Sequence, residues 1–360
     1  MRNGWVETTF GDIFKIVAGK YVAKEEYVEG GEFWIYGSNS IMGKLDRFLV
    51  EQSHVVMAAI GAYAGAVRYS KEPSWINNNA MALVPSEKIM AKYLHLWLES
   101  KFDLKRVVVG TGQPYVQRPL LLKEIISLPP LPEQKRIVDL ISSVDFYIDA
   151  LQQQLESAKR SRNAVLHELL TVGGDDWIEQ KLIDVFEIYQ PQTIAKSLMA
   201  DDGEFIVFGA NGPIGRYHEF NHEEPEVVVT CRGATCGTVN MTPPKTWITG
   251  NAMVVSPKTS EVSKEFLYWA LVAGVDIKSV ISGSAQPQIT REGLAPVKIN
   301  IPPLSRQVEI VDLIGGFELN ISQLNKSLNK AKTLRSGLLS DLLSGAHEIP
   351  TTYDKVMGTA

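Results

Sequence analysis

From Ile137 onward apolar residues fall at Ile137, Ile141, Val144, Ile148, Leu151, Leu155 and Ala158, in alternating steps of four and three. That spacing is a heptad seam and predicts one long helix from about Pro132 to Leu170. The same steps recur at Ile310, Ile314, Phe317, Ile321, Leu324, Leu328 and Ala331, predicting a second helix from about Leu304 to Leu343. An arginine interrupts each seam at the equivalent place, Arg162 and Arg335, before Val165 with Leu169 and Leu338 with Leu342 resume it. A rod of roughly 38 residues is about 57 Å long, and a strict seam of that length needs a partner rod. The chain supplies one complementary rod, so the two are expected to pack together. The short join from Leu170 to Trp177 cannot lead the chain back along a rod, which favours an antiparallel pair. Leu140, Tyr147, Leu166, Leu170, Leu313, Leu339 and Leu343 widen the apolar face beyond one seam, as packing against a further protein would require.

The helices belong to a repeat of the whole chain. An offset of 172 carries Trp5 to Trp177 and lays Tyr36–Gly43 on Phe208–Gly215, Val55–Val67 on Val227–Val239 and Trp75–Met81 on Trp247–Met253. One residue is then gained: Gln113-Pro114 matches Gln286-Pro287, and Pro129–Ile141 matches Pro302–Ile314, at an offset of 173. Short β-rich runs ending in glycine predict strands at Val55–Ala59 and Val227–Thr230, with more at Ala66–Tyr69, Thr238–Met241, Ala80–Val84 and Ala252–Ser256. Ala91–Glu99 and Ser263–Leu271 have helical spacing. The predicted fold is an α/β (α+β) tandem repeat, with two globular lobes separated by a pair of long antiparallel coiled-coil helices. Its expected parts are lobe 1 (1–130), helix 1 (131–172), lobe 2 (173–303), helix 2 (304–345) and a loose tail (346–360). Pro129-Pro130, Gly173-Gly174 and Pro302-Pro303 punctuate the joins.

Charge and chemistry narrow this picture. The 360 residues carry 36 basic and 41 acidic side chains, a net charge of −5, so nothing advertises nucleic-acid binding overall. Residues 1–128 hold 15 basic and 13 acidic groups, whereas residues 174–301 hold 10 and 16. An acidic lobe grips phosphate weakly without a basic partner. Cys231 and Cys236 are too few for a disulfide framework and read as plain thiols; no Cys/His cluster suits zinc. No signal peptide or run of about 20 apolar residues is visible, so no membrane contact and a cytoplasmic location are expected. The glycine loops at 37–43 and 209–215 lack both G-x-G-x-x-G spacing and a P-loop lysine, and are expected to serve as tight turns. His218 and His222 lie four apart in an acidic, turn-like stretch and make a weak metal candidate. No catalytic constellation emerges.

The matched scaffold carries unmatched loops: Tyr63 faces Thr235, Asn78 faces Gly250, and Tyr115 faces Gln288. Two similar lobes with divergent loops on a rigid spacer suit a target with two separated halves, such as duplex DNA. The opening Gly4–Ile13, the Ile125–Ile141 stretch containing L-P-P-L-P-E-Q-K-R-I, its echo from Ile299, and the tandem layout resemble the specificity subunit of a type I DNA restriction-modification system. The resemblance spans nearly the whole chain. It departs where Pro132-Glu133 becomes Ser305-Arg306. It implies a non-catalytic subunit with two target recognition domains, each reading one half of a bipartite double-stranded DNA sequence. It further implies that the helices fix the spacer and dock two modification (methyltransferase) subunits, which restriction (translocase and endonuclease) subunits join. No cofactor is expected on this chain; S-adenosylmethionine, ATP and Mg are implied for those partners. An isolated copy is a candidate homodimer through its broad apolar helical face.

Base and phosphate contacts require polar side chains on loops and helix starts. The candidates in the first lobe are Lys20, Lys24, Asn39, Lys44, Arg68, Asn77, Gln113, Tyr115 and Arg118. In the second they are Asn211, Arg216, His218, Arg232, Thr235, Gln286, Gln288 and Arg291. Asn39, Asn79, Asn211 and Asn251 suit turn-capping equally well. The rival reading is a scaffold with two protein-binding lobes; tandem catalytic domains are disfavoured by the missing constellation.

Overall fold

A computed structural model describes residues 4–283 and 286–356. The chain forms two compact units: one runs to Leu151 and takes up the chain again from Ser327, and the other is Gln152–Lys326. Both long helices therefore contribute to both units.

The first unit is built on strands. Phe14–Ala18, Ala80–Pro85, His54–Ala58 and Val67–Ser70 form a four-stranded antiparallel sheet in that spatial order. Phe33–Tyr36 pairs antiparallel with Ile41–Leu45 and parallel with Ser74–Ile76 in a second sheet. Val6–Thr9 pairs with Ile125–Leu128, bringing the two ends of the lobe together where the first long helix begins. The second unit repeats all three sheets. Its strands are Phe186–Tyr189, Ala252–Pro257, Val227–Thr230 and Val239–Met241; then Pro213–Tyr217, Phe205–Phe208 and Thr246–Ile248; then Ile178–Lys181 with Lys298–Ile301. The strands expected from β-rich runs are present within a residue or two at their ends.

The seams form helices at Leu131–Thr171 and Leu304–Ser344. In the first unit Ile137 and Ile141, near the start of the first helix, share one core with Leu339, Leu342 and Leu343, near the end of the second. In the second unit Leu166 and Leu170 share a core with Ile310 and Ile314. The start of each helix thus meets the end of the other, which makes the pair antiparallel. These same cores include the lobes: Phe10, Met57, Leu83 and Leu94 in the first, Phe186, Val229, Met253 and Phe266 in the second. Here the sequence expectation needs correcting. Leu166, Leu170, Leu339 and Leu343 widen the apolar face because each lobe sits on it, not to await another protein. After each arginine the more deeply buried residues are Leu166 and Leu170, or Leu339 with Leu342 and Leu343, while Val165, Leu169 and Leu338 are half-buried.

Each helix start is latched by a glutamine. Gln134 is fully buried; its Oε1 accepts from the Met90 amide (2.9 Å), and its Nε2 donates to the carbonyls of Lys88 and Pro129 (both 2.9 Å). Gln307 does the same with the Ser263 amide and the carbonyls of Glu261 and Pro302. This accounts physically for the glutamine in both P-P-L-x-x-Q stretches.

The expected loose tail is ordered through Val356. Ile349 is buried in the first core, and Arg136 makes a bidentate ion pair with Asp354 at 2.8 Å. Residues 357–360 lie outside the described residues. The residue gained in the second repeat also has a structural cause. Helix Ala91–Lys101 is regular, whereas Lys264–Trp269 runs into a π-helical turn, Ala270–Gly274, before the equivalent caps Asp103 and Asp276. A π-turn accommodates one inserted residue without displacing the residues after it.

Candidate nucleic-acid interface

In each lobe three turns are stitched into one ridge by backbone hydrogen bonds. In the first, Ala59 donates to Asn79 (2.9 Å), Gly61 to Pro114 (2.8 Å) and Val116 to Ala59 (2.9 Å). In the second, Cys231 donates to Asn251 (3.1 Å), Gly233 to Pro287 (3.0 Å) and Ile289 to Cys231 (3.0 Å). The glutamine-bearing turn needs glycine: Gly110 and Gly283 sit at φ +97° and +83°, and a Cβ on either would come within 3.0 Å of the Gln113 or Gln286 carbonyl oxygen. The repeat dictates this backbone, so the ridge is common to both lobes; Gln113 matches Gln286 and Asn79 matches Asn251 on it, whereas the side chains at the Tyr63/Thr235, Asn78/Gly250 and Tyr115/Gln288 positions differ.

The first ridge brings together exposed Gln113 and Tyr115 with Tyr63, Asn78 and Asn79. The second brings together exposed Arg232, Thr235, Gln286 and Gln288 with Asn251. Tyr63 and Asn78 belong with the candidates although residue type alone did not select them; their mismatch with Thr235 and Gly250 is the signal that marks them. Arg118 and Arg291 are exposed in the first turns of short helices that come directly after the ridges.

Beside the first ridge an open cleft of about 600 Å³ is lined by Tyr21, Lys24, Tyr27, Met42, Asn78 and Asn79, among others. It places Lys24 near the ridge. Lys20 is exposed, and its carbonyl accepts from the Trp75 indole at 3.0 Å. Lys44 lies 4.3 Å from the centre of the exposed Trp34 ring, a cation–π contact that leaves an aromatic face and a charge together at the surface. Arg68 donates to the carbonyl of Asn39, tying the sheet to the exposed turn that carries Asn39.

Other candidates have partners within the lobe. Asn77 is buried, and its Oδ1 accepts from the Asn79 amide within its own turn. Asn211 accepts from the Asn240 amide group at 2.9 Å. Arg216 donates to the carbonyls of Gly203 and Glu204, both at 2.6 Å, which commits its guanidinium to the hairpin. His218 is exposed, 3.9 Å from Asp202. His222 bonds to Tyr189 and Asn221, and burial holds its pKa below the usual histidine value. Among the described residues no group of three His, Cys, Asp or Glu has metal-binding geometry. Cys231 and Cys236 are free thiols; burial is the main cause that raises the Cys236 pKa, the opposite of an activated nucleophile. No described helix is long and apolar enough to cross a membrane.

A sequence profile of the type I restriction modification DNA specificity domain matches residues 2–160 and again residues 174–333. The specificity subunit of type I restriction enzyme MjaVIII from Methanocaldococcus jannaschii is 22% identical over 393 residues, covering 95% of this chain and 92% of its own. A putative specificity subunit of the MjaX enzyme from the same organism is 21% identical, over 79% of this chain and 75% of its own. The crystal structure of a type I restriction-modification S subunit from M. genitalium superposes with a TM-score of 0.67 at 19% identity, covering 95% of this chain and 97% of that one. At that identity the likeness is one of fold.

Proposed function

The chain belongs to the specificity subunits of type I restriction-modification systems, and from that premise we propose that each lobe reads one half of a bipartite DNA sequence while the helix pair sets the spacer. As a specificity subunit it is non-catalytic: it recognises target DNA and leaves the chemistry to methyltransferase and restriction subunits. The observation that carries the two-part reading is the pair of equivalent ridges that share a glutamine and an asparagine but bear unlike side chains at Tyr63/Thr235, Asn78/Gly250 and Tyr115/Gln288. Tyr63, Asn78, Gln113 and Tyr115 would read one half-sequence; Arg232, Thr235, Gln286 and Gln288 would read the other. Tyrosine packs on bases and sugars; arginine donates twice to a base edge, and glutamine pairs with one by donating through Nε2 and accepting through Oε1. Lys20, Lys24, Arg118 and Arg291 are suited to backbone phosphates.

Two modification subunits fit the repeat in the helices. Phe146 and Leu319 occupy equivalent positions and are 77% and 63% exposed, and Leu131 and Leu304 form a second exposed, equivalent pair. Large apolar side chains in solvent at repeat-related sites support docking of two copies of one partner. The weak phosphate grip of the acidic second lobe fits binding completed by those partners. An isolated chain could use the same residues to pair with a second copy. Selection from a random-sequence duplex library, with and without the methyltransferase subunits, tests the reading. The expected outcome is one bipartite sequence with a fixed spacer; failure of the complex to enrich any two-part sequence would sink it.

A further inference from the structure

Arg162 and Arg335 break the apolar seam at equivalent positions, and each has two kinds of neighbour. On the partner helix, Arg335 pairs with Asp145 and Arg162 pairs with Glu318. The two pairs are repeat-equivalent and obey one register. A slip of one heptad would bring Arg162 opposite Val311 or Asn325, and Arg335 opposite Val138 or Gln152, so neither half-buried guanidinium would face a carboxylate at that level of the partner helix. On the lobe side, Arg335 Nη2 lies 3.6 Å from Glu99 of helix Ala91–Lys101. Arg162 lies 5.5 Å from the centre of the Trp269 ring on the equivalent helix of its own unit. Each arginine is therefore a three-way junction between both long helices and the lobe resting on them.

We propose that Arg335 and Arg162 clamp each lobe to the helix pair, and that these clamps set how strictly the distance between the two half-sequences is enforced. The inference rests on the two-part reading above. A lobe that rocks on the helices carries its ridge with it, so the tolerated spacer widens while the bases read stay the same. The arginines are positioning residues: they touch neither ridge. A planar guanidinium suits the junction because it binds a carboxylate through two N–H groups and still presents a face or edge to a third partner; lysine has no such fork.

The lobe arm and the helix arm can be cut separately in the first unit. Glu99 is a surface residue, so E99A removes the lobe arm at little risk to folding; D145A removes the helix arm and leaves Glu99 in place. Duplex selection with the full chain and its methyltransferase subunits reads both the half-sequences and the spacer distribution. E99A is expected to enrich the same half-sequences while losing about 5-fold of its preference for the wild-type spacer over spacers one base pair longer or shorter, and R335M about 10-fold. An E99A protein with an unaltered spacer preference overturns the clamp, and so does a variant whose half-sequence changes. A wild-type complex that enriches no two-part sequence defeats the parent reading instead.

Discussion

At the scale of single residues, the division is between side chains that hold the scaffold and exposed ridge side chains proposed to read DNA. Gln134 and Gln307 are the clearest of the first kind, since each is fully buried and binds three backbone groups, one of them buried and two part-buried. Gln134→Ala strands an amide and two carbonyls and should cost about 3 kcal/mol of unfolding free energy, with Gln307→Ala similar, as denaturant titration would register. Gln113→Ala on the ridge should leave stability within about 0.5 kcal/mol and alter only one half-sequence. The sequence singled out the P-P-L-x-x-Q stretch as a signature, but the role of its glutamine was invisible, because the groups it satisfies lie over 40 residues upstream as well as next to it. Residue type likewise leaves the local setting of the candidate readers open. Both arginines are exposed, and nothing local in the sequence says that Arg216 donates to two carbonyls while Arg232 stands on the ridge.

At the scale of elements, periodicity and repetition made most of the fold legible. Heptad steps gave both long helices, and β-rich runs gave the strands, because apolar spacing records which face is buried. Two features escaped this logic. The end of each helix carries a broader apolar face because it meets a lobe as well as its partner helix, and spacing alone cannot say which protein covers a face. The π-turn at Ala270–Gly274 leaves only a bare arithmetic trace, the change of offset from 172 to 173. That trace makes a prediction. Deleting Val272, a partly exposed residue of the turn, should restore a regular α-helix like Ala91–Lys101, costing about 1 kcal/mol or less in a thermal melt. Deleting Leu96, buried in the regular helix, shifts every later core residue by one position and should unfold the lobe. Equal damage from both deletions would mean that the π-turn is a required part of the second lobe and not an absorbed insertion.

At the scale of the whole molecule, the proposed ruler has a definite graduation. The register shared by Asp145–Arg335 and Arg162–Glu318 places residues 149–155 opposite residues 325–331, so removing both segments takes out facing heptads and leaves both arginine clamps and all four ends of the pair intact. One heptad is about 10.5 Å of helix, or about three base pairs of B-DNA. Seven residues turn an α-helix through nearly two full revolutions, so the protein keeps its facing within about 20°. Three base pairs turn the DNA by about 100°, since a full turn takes 10–10.5 of them. The shortened protein therefore meets half-sequences at the right distance on the wrong side of the duplex. It should prefer a spacer about three base pairs shorter, at roughly 100-fold weaker binding, because the DNA must be twisted to bring both halves under their ridges. Sequencing the selected duplexes and titrating the best one separates the two effects. An unchanged spacer in the deletion protein would show that the helices hold the lobes without measuring the distance between their targets.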